Sequence, residues 1–227
     1  MIDYLRLVFF NTFIGNSAGF AIIRNEVGLF TAIKLVMKMQ IKLLVANPFK
    51  RINAKRPHLS WNERSSQKQI APAFCLYEVL IEEGYSEQDA IAFVEKVVIG
   101  VAAKFLAFTI PVISLNDISG SNQRYRLSIF TKLTSRFPNA AGKLDFDGKA
   151  EYRFTVNKCL FAYYCNALGY ENLANIFCKA DKKYFDEHQP QVEFSRNTTL
   201  ASDQKPCDFA FTIIEERRIE ANMITKG

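Results

Sequence analysis

The spacing of apolar residues changes part-way along this chain, and that change restricts the possible folds more than any other feature. Up to about residue 109, apolar residues recur every three or four positions, which is the period of a helix that buries one side. Segments 152–157 and 207–213 instead alternate apolar with polar residues, which is the period of a half-buried strand. The sequence therefore predicts an α+β fold, with a helical N-terminal half and a small antiparallel sheet with packed helices in the C-terminal half.

The positive charge of the chain is concentrated at its N-terminal end. The sequence has 29 Lys and Arg against 23 Asp and Glu, and residues 1–56 alone hold nine of the basic and two of the acidic residues. The rest of the chain is therefore close to neutral, which removes the main reason to expect nucleic acid as a partner. We assign 1–56 as a basic, mainly helical N-terminal segment and 57–227 as an α+β domain.

Within the basic segment, the pattern predicts a break near Gly15–Gly19, a well-defined helix over 29–45 and a polar loop over 50–66. Three lysines recur every four residues along that helix and form one stripe: Lys34, Lys38 and Lys42. The favoured interpretation is a solvated face of a helix that packs on the body of the protein. The alternative is contact of 29–45 with a membrane surface or a partner helix.

Glycine, serine and proline divide the middle of the chain into elements. Helix is predicted over 67–83 and again from Ser86, because Gly84 stops the first helix and Ser86 caps the second. Segment 126–133 fits a strand or a short helix equally well. A turn is predicted at Asn139–Gly142.

The last third of the sequence predicts a helical pair followed by a hairpin. Helix is predicted over 159–187, with Gly169 as a joint. Alternation then predicts strands over 192–200 and 207–213, separated by a polar turn. These two strands are expected to form a β-hairpin.

Five cysteines occur at irregular spacing, with no Cys-x-x-Cys pair: Cys75, Cys159, Cys165, Cys178 and Cys207. The first residues lack the features of a secretory signal, so we expect a cytoplasmic protein with reduced thiols. The longest uncharged run, residues 7–23, is shorter than the ~20 apolar residues that a membrane-spanning helix needs.

Thiols and carboxylates of the last third form the candidate site: Cys159, Cys178, Asp181, Cys207 and Asp208. Cys178 and Asp181 share one face of a predicted helix, because they are three residues apart. Three interpretations stay open. The cysteines pack in the core, or they hold zinc with one open position, or one thiolate acts as nucleophile or base beside an aspartate. The chain has two histidines, so a histidine-based triad is not expected.

Arg196 lies on a predicted strand among apolar neighbours, and a half-buried guanidinium there needs an anionic partner. A structural partner would be Asp181 or Asp208. The other alternative is a substrate carboxylate held by two hydrogen bonds. The sequence favours neither the structural partner nor the substrate carboxylate.

The order of these residues resembles the C-terminal half of the L-2-amino-thiazoline-4-carboxylic acid hydrolase family. The resemblance extends over about 60–214. The similar stretches are a strand ending in Cys159, then Cys178-x-x-Asp181, Arg196-x-x-Thr199-Leu200-Ala201 and Cys207-Asp208-Phe209.

The resemblance implies a small-molecule hydrolase that opens a C–N or C–S bond of a cyclic amidine-like or related carboxylate. The implied catalytic residues are Cys207, Asp208 and Asp181, and the implied substrate-binding residues are Arg196 and Thr199. A zinc ion held by Cys159, Cys178 and Cys207 is the cofactor hypothesis. The alternatives are a non-catalytic module that binds a metal or small molecule, and an accessory protein that uses the basic N-terminal helix. The oligomeric state is left open.

Overall fold

A computed structural model describes residues 9–56, 58–118, 122–146, 151–203 and 205–214. The helices are α1 (Asn16–Val27), α2 (Leu29–Val45), α3 (Lys50–Ala54), α4 (Trp61–Glu82), α5 (Glu87–Thr109), α6 (Leu115–Ile118), α7 (Gln123–Thr134), α8 (Leu160–Leu168) and α9 (Ala174–His188). The strands are β1 (Ala140–Phe146), β2 (Glu151–Cys159), β3 (Val192–Ser195) and β4 (Cys207–Ile213). A π-helical turn, Phe10–Gly15, precedes α1, and a 3₁₀ turn, Glu171–Leu173, precedes α9. The predicted α+β class is confirmed.

The four strands form one antiparallel sheet in the order β1-β2-β4-β3. The predicted hairpin of the last two strands is confirmed, although β3 ends at Ser195 rather than near Leu200. The inward side chains of the sheet pack against α7, α9 and the end of α5, where Tyr152 and Phe211 are fully buried. This packing forms the first of two core clusters.

One extra residue in β2 changes which side chains point inward. Ala141 pairs with Lys158, but the next residue of β1, Gly142, pairs with Val156, so Asn157 is an added residue on β2. Val156 and Cys159 would lie on opposite faces of a regular strand, because they are three residues apart. The bulge reverses the alternation, and both side chains line the same cavity.

Gly142 makes this bulge possible because the two backbones approach closely there. A Cβ atom at position 142 would lie 2.1 Å from the carbonyl oxygen of Thr155. The turn predicted at Asn139–Gly142 lies two residues earlier, where the backbone N–H of Ala140 donates to the carbonyl of Phe137, and Gly142 belongs to β1. The small residues there permit close pairing of strands, and the sequence pattern alone does not separate that use of glycine from a turn.

Two predictions about the N-terminal helices are wrong. The chain stays helical through Gly15–Gly19, and the break falls at Gly28, whose φ of +78° lies in the positive-φ region that glycine adopts readily. The predicted polar loop over 50–66 contains α3 and the start of α4. Ser60 and Glu63 form a reciprocal capping box at that start, which the sequence contains and the prediction overlooked.

Other helical predictions agree with the structure. Helix α2 has the predicted bounds, and α5 begins after Ser86, whose hydroxyl accepts a hydrogen bond from the backbone N–H of Asp89. Gly169 separates α8 from the turn before α9, as predicted. The undecided segment 126–133 is helical and belongs to α7.

Helix α2 turns its lysine stripe toward α4 rather than only toward water. Lys34 and Lys38 pair with Glu83, and Lys42 pairs with Glu78 and Glu82. Other exposed positions of α2 carry large apolar residues, with Phe30 at 88% and Leu44 at 84% exposure. The favoured interpretation, a solvated face of a helix that packs on the body, agrees with the half-exposed Lys34 and Lys38, and the acidic partners at the end of α4 are an addition to it. Contact of 29–45 with a membrane surface stays a prediction.

The second core cluster joins helices from both sides of residue 56. It contains Leu35 of α2, Phe74 of α4, Val94 of α5, Tyr164 of α8 and Phe177 of α9. The N-terminal segment thus packs directly on the helices of the predicted 57–227 domain, and the boundary itself stays a prediction. Across the described part of the chain, no helix is long and apolar enough to cross a membrane.

Candidate active site

A cavity of about 70 Å³ lies where the two core clusters meet, and the ends of several elements converge on it. Cys159 reaches it from the junction of β2 and α8, and Cys207 reaches it from the first position of β4. Cys178 and Asp181 reach it from one face of α9. Four of the predicted site residues therefore line one cavity, although they are spread over some fifty positions of the sequence.

Burial keeps the three cavity thiols in their neutral form. Removal from water raises the pKa of Cys159, Cys178 and Cys207, and the neighbouring charge of Asp181 raises each of them further. Such thiols are poor nucleophiles and poor metal ligands at neutral pH, since the thiolate is the reactive form.

Cys159 is the thiol with the most hydrogen-bond donors around it. It stands directly before α8, so the backbone N–H groups of Phe161 and Ala162 partly offset the effect of burial on its pKa. The side-chain amide of Asn139 lies 3.8 Å from its sulfur. The sulfur of Cys207 has one comparable donor, the backbone N–H of Leu200 at 3.3 Å.

The residues present do not fit the zinc hypothesis. Among the residues that the structure describes, no group of three or more His, Cys, Asp or Glu side chains is arranged to hold a metal ion. The proposed ligands Cys159, Cys178 and Cys207 share a cavity, but their raised pKa values oppose the deprotonation that zinc binding requires.

Asp181 is the most strongly perturbed carboxyl group of the site. Burial raises its pKa from 3.8 to about 7, although the nearby guanidinium of Arg196 acts in the opposite direction. Nη1 of Arg196 donates a hydrogen bond to Oδ2 of Asp181 at 3.2 Å. A carboxyl group that titrates near neutral pH in a cavity has the properties of a general acid–base group.

Arg196 is held on three sides by the protein. Besides Asp181, its Nη2 donates to the backbone carbonyl of Cys178 at 3.1 Å, and its guanidinium carbon lies 5.4 Å from the ring centroid of Phe209. Its side chain is 12% exposed, and Arg196 is not among the residues that line the cavity. This geometry favours the structural alternative, in which Arg196 positions Asp181.

Asp208 and Thr199 hold the loop between β3 and β4. Burial raises the pKa of Asp208, but hydrogen bonds from the backbone N–H groups of Thr198 and Asn197 outweigh it, and the pKa is lowered overall. Thr199 accepts a hydrogen bond from the backbone N–H of Ser202 and contacts its hydroxyl. The structure thus places both predicted residues outside the lining of the cavity, with Thr199 in the loop and Asp208 at the second position of β4.

Arg136 is a cavity residue that the sequence prediction missed. It follows α7 and lines the cavity, and its buried Nε makes no hydrogen bond with any residue that the structure describes. A buried guanidinium nitrogen without a partner is costly, so it marks a place for an anionic ligand. In the sequence, the signal for this role is a single arginine between two apolar residues, Leu133 and Phe137, both of which the structure buries.

The fold and the cavity together define an α+β domain with a buried cavity that is lined by ionisable side chains. The sequence model of the L-2-amino-thiazoline-4-carboxylic acid hydrolase family matches residues 63–211, and the chain belongs to this family. A hydrolase-like function follows from that membership. Comparison with curated proteins and with solved structures gives no significant match. The matched range contains every residue of the cavity named above.

Proposed function

We propose that the protein hydrolyses a cyclic amidine-like carboxylate, in the manner that the family name describes. The observation that carries the proposal is Asp181, a carboxyl group with a pKa near neutrality that faces a cavity beside an arginine with a free donor. General acid–base groups work best when their pKa lies close to the operating pH. Family membership supplies the reaction class, and the site supplies the groups for it.

The reaction balances without a cofactor or a redox partner. For 2-aminothiazoline-4-carboxylate, the oxygen of water bonds to the ring carbon between sulfur and nitrogen, and one water proton goes to the ring nitrogen. The new hydroxyl group then loses its proton and forms a carbonyl while the carbon–sulfur bond breaks. The ring sulfur leaves with its electron pair and takes up the proton, which gives N-carbamoyl-cysteine.

Each step has a candidate group in the cavity. Ionised Asp181 takes a proton from the attacking water and delivers it to the ring nitrogen, and it then takes the proton of the new hydroxyl group and delivers it to the leaving sulfur. Arg136 binds the substrate carboxylate through its partnerless Nε. Arg196 is a positioning residue that fixes Asp181 through the 3.2 Å hydrogen bond. The neutral thiols of Cys159 and Cys207 form the wall around the reacting carbon.

The direct test is turnover of 2-aminothiazoline-4-carboxylate by the full chain. We expect one free thiol to appear for each substrate consumed, measured with a chromogenic thiol reagent, and the product mass to increase by one water. An unchanged substrate, or a product without a free thiol, would contradict the proposed bond cleavage. Ring opening without loss of ammonia also distinguishes this reaction from simple deamination.

A further inference from the structure

A second and larger cavity adjoins the candidate active site. It has a volume of about 450 Å³ and lies between α1, α2, α4 and α5. Its size falls within the range of about 300–1,000 Å³ that is usual for small-molecule sites. Lining residues are apolar or glycine except for four: Asn16, Gln40, Lys68 and Gln69. Space of this kind, walled by valine, isoleucine and phenylalanine, favours an apolar occupant over water.

The two cavities have walls in common. Five residues line both of them: Gln69, Ala102, Phe105, Phe161 and Phe177. The shared wall places the larger cavity directly beside the active-site cavity. This adjacency is the reason to assign the larger cavity to the same ligand.

Part of the wall of the larger cavity lies outside the family match. Phe20 and Ile23 of α1 and Val36 and Met39 of α2 line it, and these residues precede the match at 63–211. The matched region supplies further lining residues from α4 and α5. A ligand bound here would therefore contact both the N-terminal helices and the matched region.

We infer that the natural substrate carries an apolar group, such as an alkyl chain or an aromatic ring, which occupies the larger cavity while the heterocycle reacts beside Asp181. This inference rests on the proposed function for the identity of the polar end. The apolar group contributes binding free energy through burial, which grows with each methylene removed from water.

The experiment measures binding by calorimetry for two ligands on the full chain. They are 2-aminothiazoline-4-carboxylate and its analogue with a hexyl group on the exocyclic nitrogen. We expect the hexyl analogue to bind on the order of a thousandfold more tightly, since each of its five buried methylenes contributes about fourfold. We also expect a more negative heat capacity change for it, which is the signature of apolar burial. Equal affinities, or weaker binding of the hexyl compound, would overturn the inference.

A pair of variants tests whether the gain arises in this cavity. In Gly19→Leu, the Cβ atom would lie 3.6 Å from Val101, an ordinary contact, and the rest of the side chain would enter the cavity. We expect the hexyl advantage to fall at least tenfold in this variant. The control, Asn25→Leu, adds the same side chain at an exposed position of α1 and should keep the advantage in full. An unchanged advantage in Gly19→Leu would place the hexyl group elsewhere and overturn the assignment.

The two measurements test the two proposals separately, because binding tests the apolar site and turnover tests the reaction. If the hexyl analogue binds tightly in the cavity but neither compound is hydrolysed, the proposed reaction fails and the apolar site stands. If the parent compound is hydrolysed but the hexyl group adds no affinity, the reaction stands and the apolar site fails. Thermal unfolding of both leucine variants confirms that a loss of affinity does not come from a loss of fold.

Discussion

The two cavities of this protein differ in almost every physical property. The smaller one holds a carboxyl group, an arginine and three thiols in about 70 Å³, and its named residues lie within the family match. The larger one has about 450 Å³, and most of its wall is apolar. About a third of the residues that line it come from α1 and α2, which precede the match.

This difference suggests that the two cavities have different functions. Ionisable groups in a confined space shift one another's pKa values, which is what proton transfer requires. An apolar cavity supplies no ionisable groups, but it discriminates between ligands by the apolar area that they bury. Variants of the small cavity should therefore change rate and charge recognition, while the gain from an apolar substituent should survive them.

The largest expected effect comes from Asp181→Asn. The amide keeps the shape of the side chain but cannot take up a proton, so kcat/KM should fall by about 10²- to 10⁴-fold. Affinity for the hexyl analogue should remain higher than for the parent compound. Steady-state kinetics and calorimetry check these outcomes.

The matched control for that variant is Asp186→Asn, the same change on the same helix. Asp186 is about half exposed and pairs with Lys182 at the surface. Its loss should leave kcat/KM within about twofold, because exposed ion pairs contribute little. A similar loss of rate in both variants would assign the effect to α9 as a whole rather than to the carboxyl group.

Arg136→Gln should have the next largest effect, and it should appear in KM. Loss of a charged hydrogen bond to the substrate carboxylate is expected to raise KM by about 10- to 100-fold while kcat changes little. Arg124→Gln, at an exposed position of α7, is the control. If an amide analogue of the substrate also loses affinity in Arg136→Gln, the arginine does not recognise the carboxylate.

The pH dependence of the reaction gives a smaller but more specific effect. Asp181 must be ionised to accept a proton, so kcat/KM should rise with pH and level off above a midpoint of about 7. Arg196 lowers the pKa of Asp181, so Arg196→Gln should move that midpoint to higher pH. Initial rates from pH 5 to 9 measure it. A midpoint that stays in place would show that Asp181 is not the titrating base.

Cys207→Ser should have the smallest effect on the rate. The hydroxyl can still accept the hydrogen bond from the backbone N–H of Leu200, and the thiol it replaces is held neutral. We expect kcat/KM to fall by about tenfold or less. Complete loss of turnover in a folded variant, or a covalent substrate adduct on Cys207 by mass spectrometry, would instead support the thiol nucleophile suggested by the sequence.

Local signals in the sequence predicted much of the fold. Helix α2 and the start of α5 follow from apolar periodicity and from Ser86, because both depend on residues only a few positions apart. The capping box of Ser60 and Glu63 was equally local and was missed only because its surroundings are polar. The residues at Asn139–Gly142 could not be separated from a turn, because their use depends on the distant strand β2.

The site was less predictable because its geometry depends on tertiary contacts. Sequence order grouped Cys159, Cys178 and Asp181 correctly in one cavity, yet it could not choose between the two partners of Arg196. The role of Arg136 depends on burial by helices far away in the sequence. The larger cavity has no sequence signature, since it is the space left between four helices.

The bulge at Asn157 has a consequence for how this site can change over time. When the bulged Asn157 is left out of the count, only Lys158 separates Cys159 from Val156, so both side chains face the interior. Deleting the codon for Asn157 would leave Val156 and Cys159 two residues apart on a regular strand, which keeps the sulfur inward. A descendant of this protein could therefore lose the extra residue and keep this wall of its pocket, whereas replacing Gly142 by a larger residue would force the paired backbones apart.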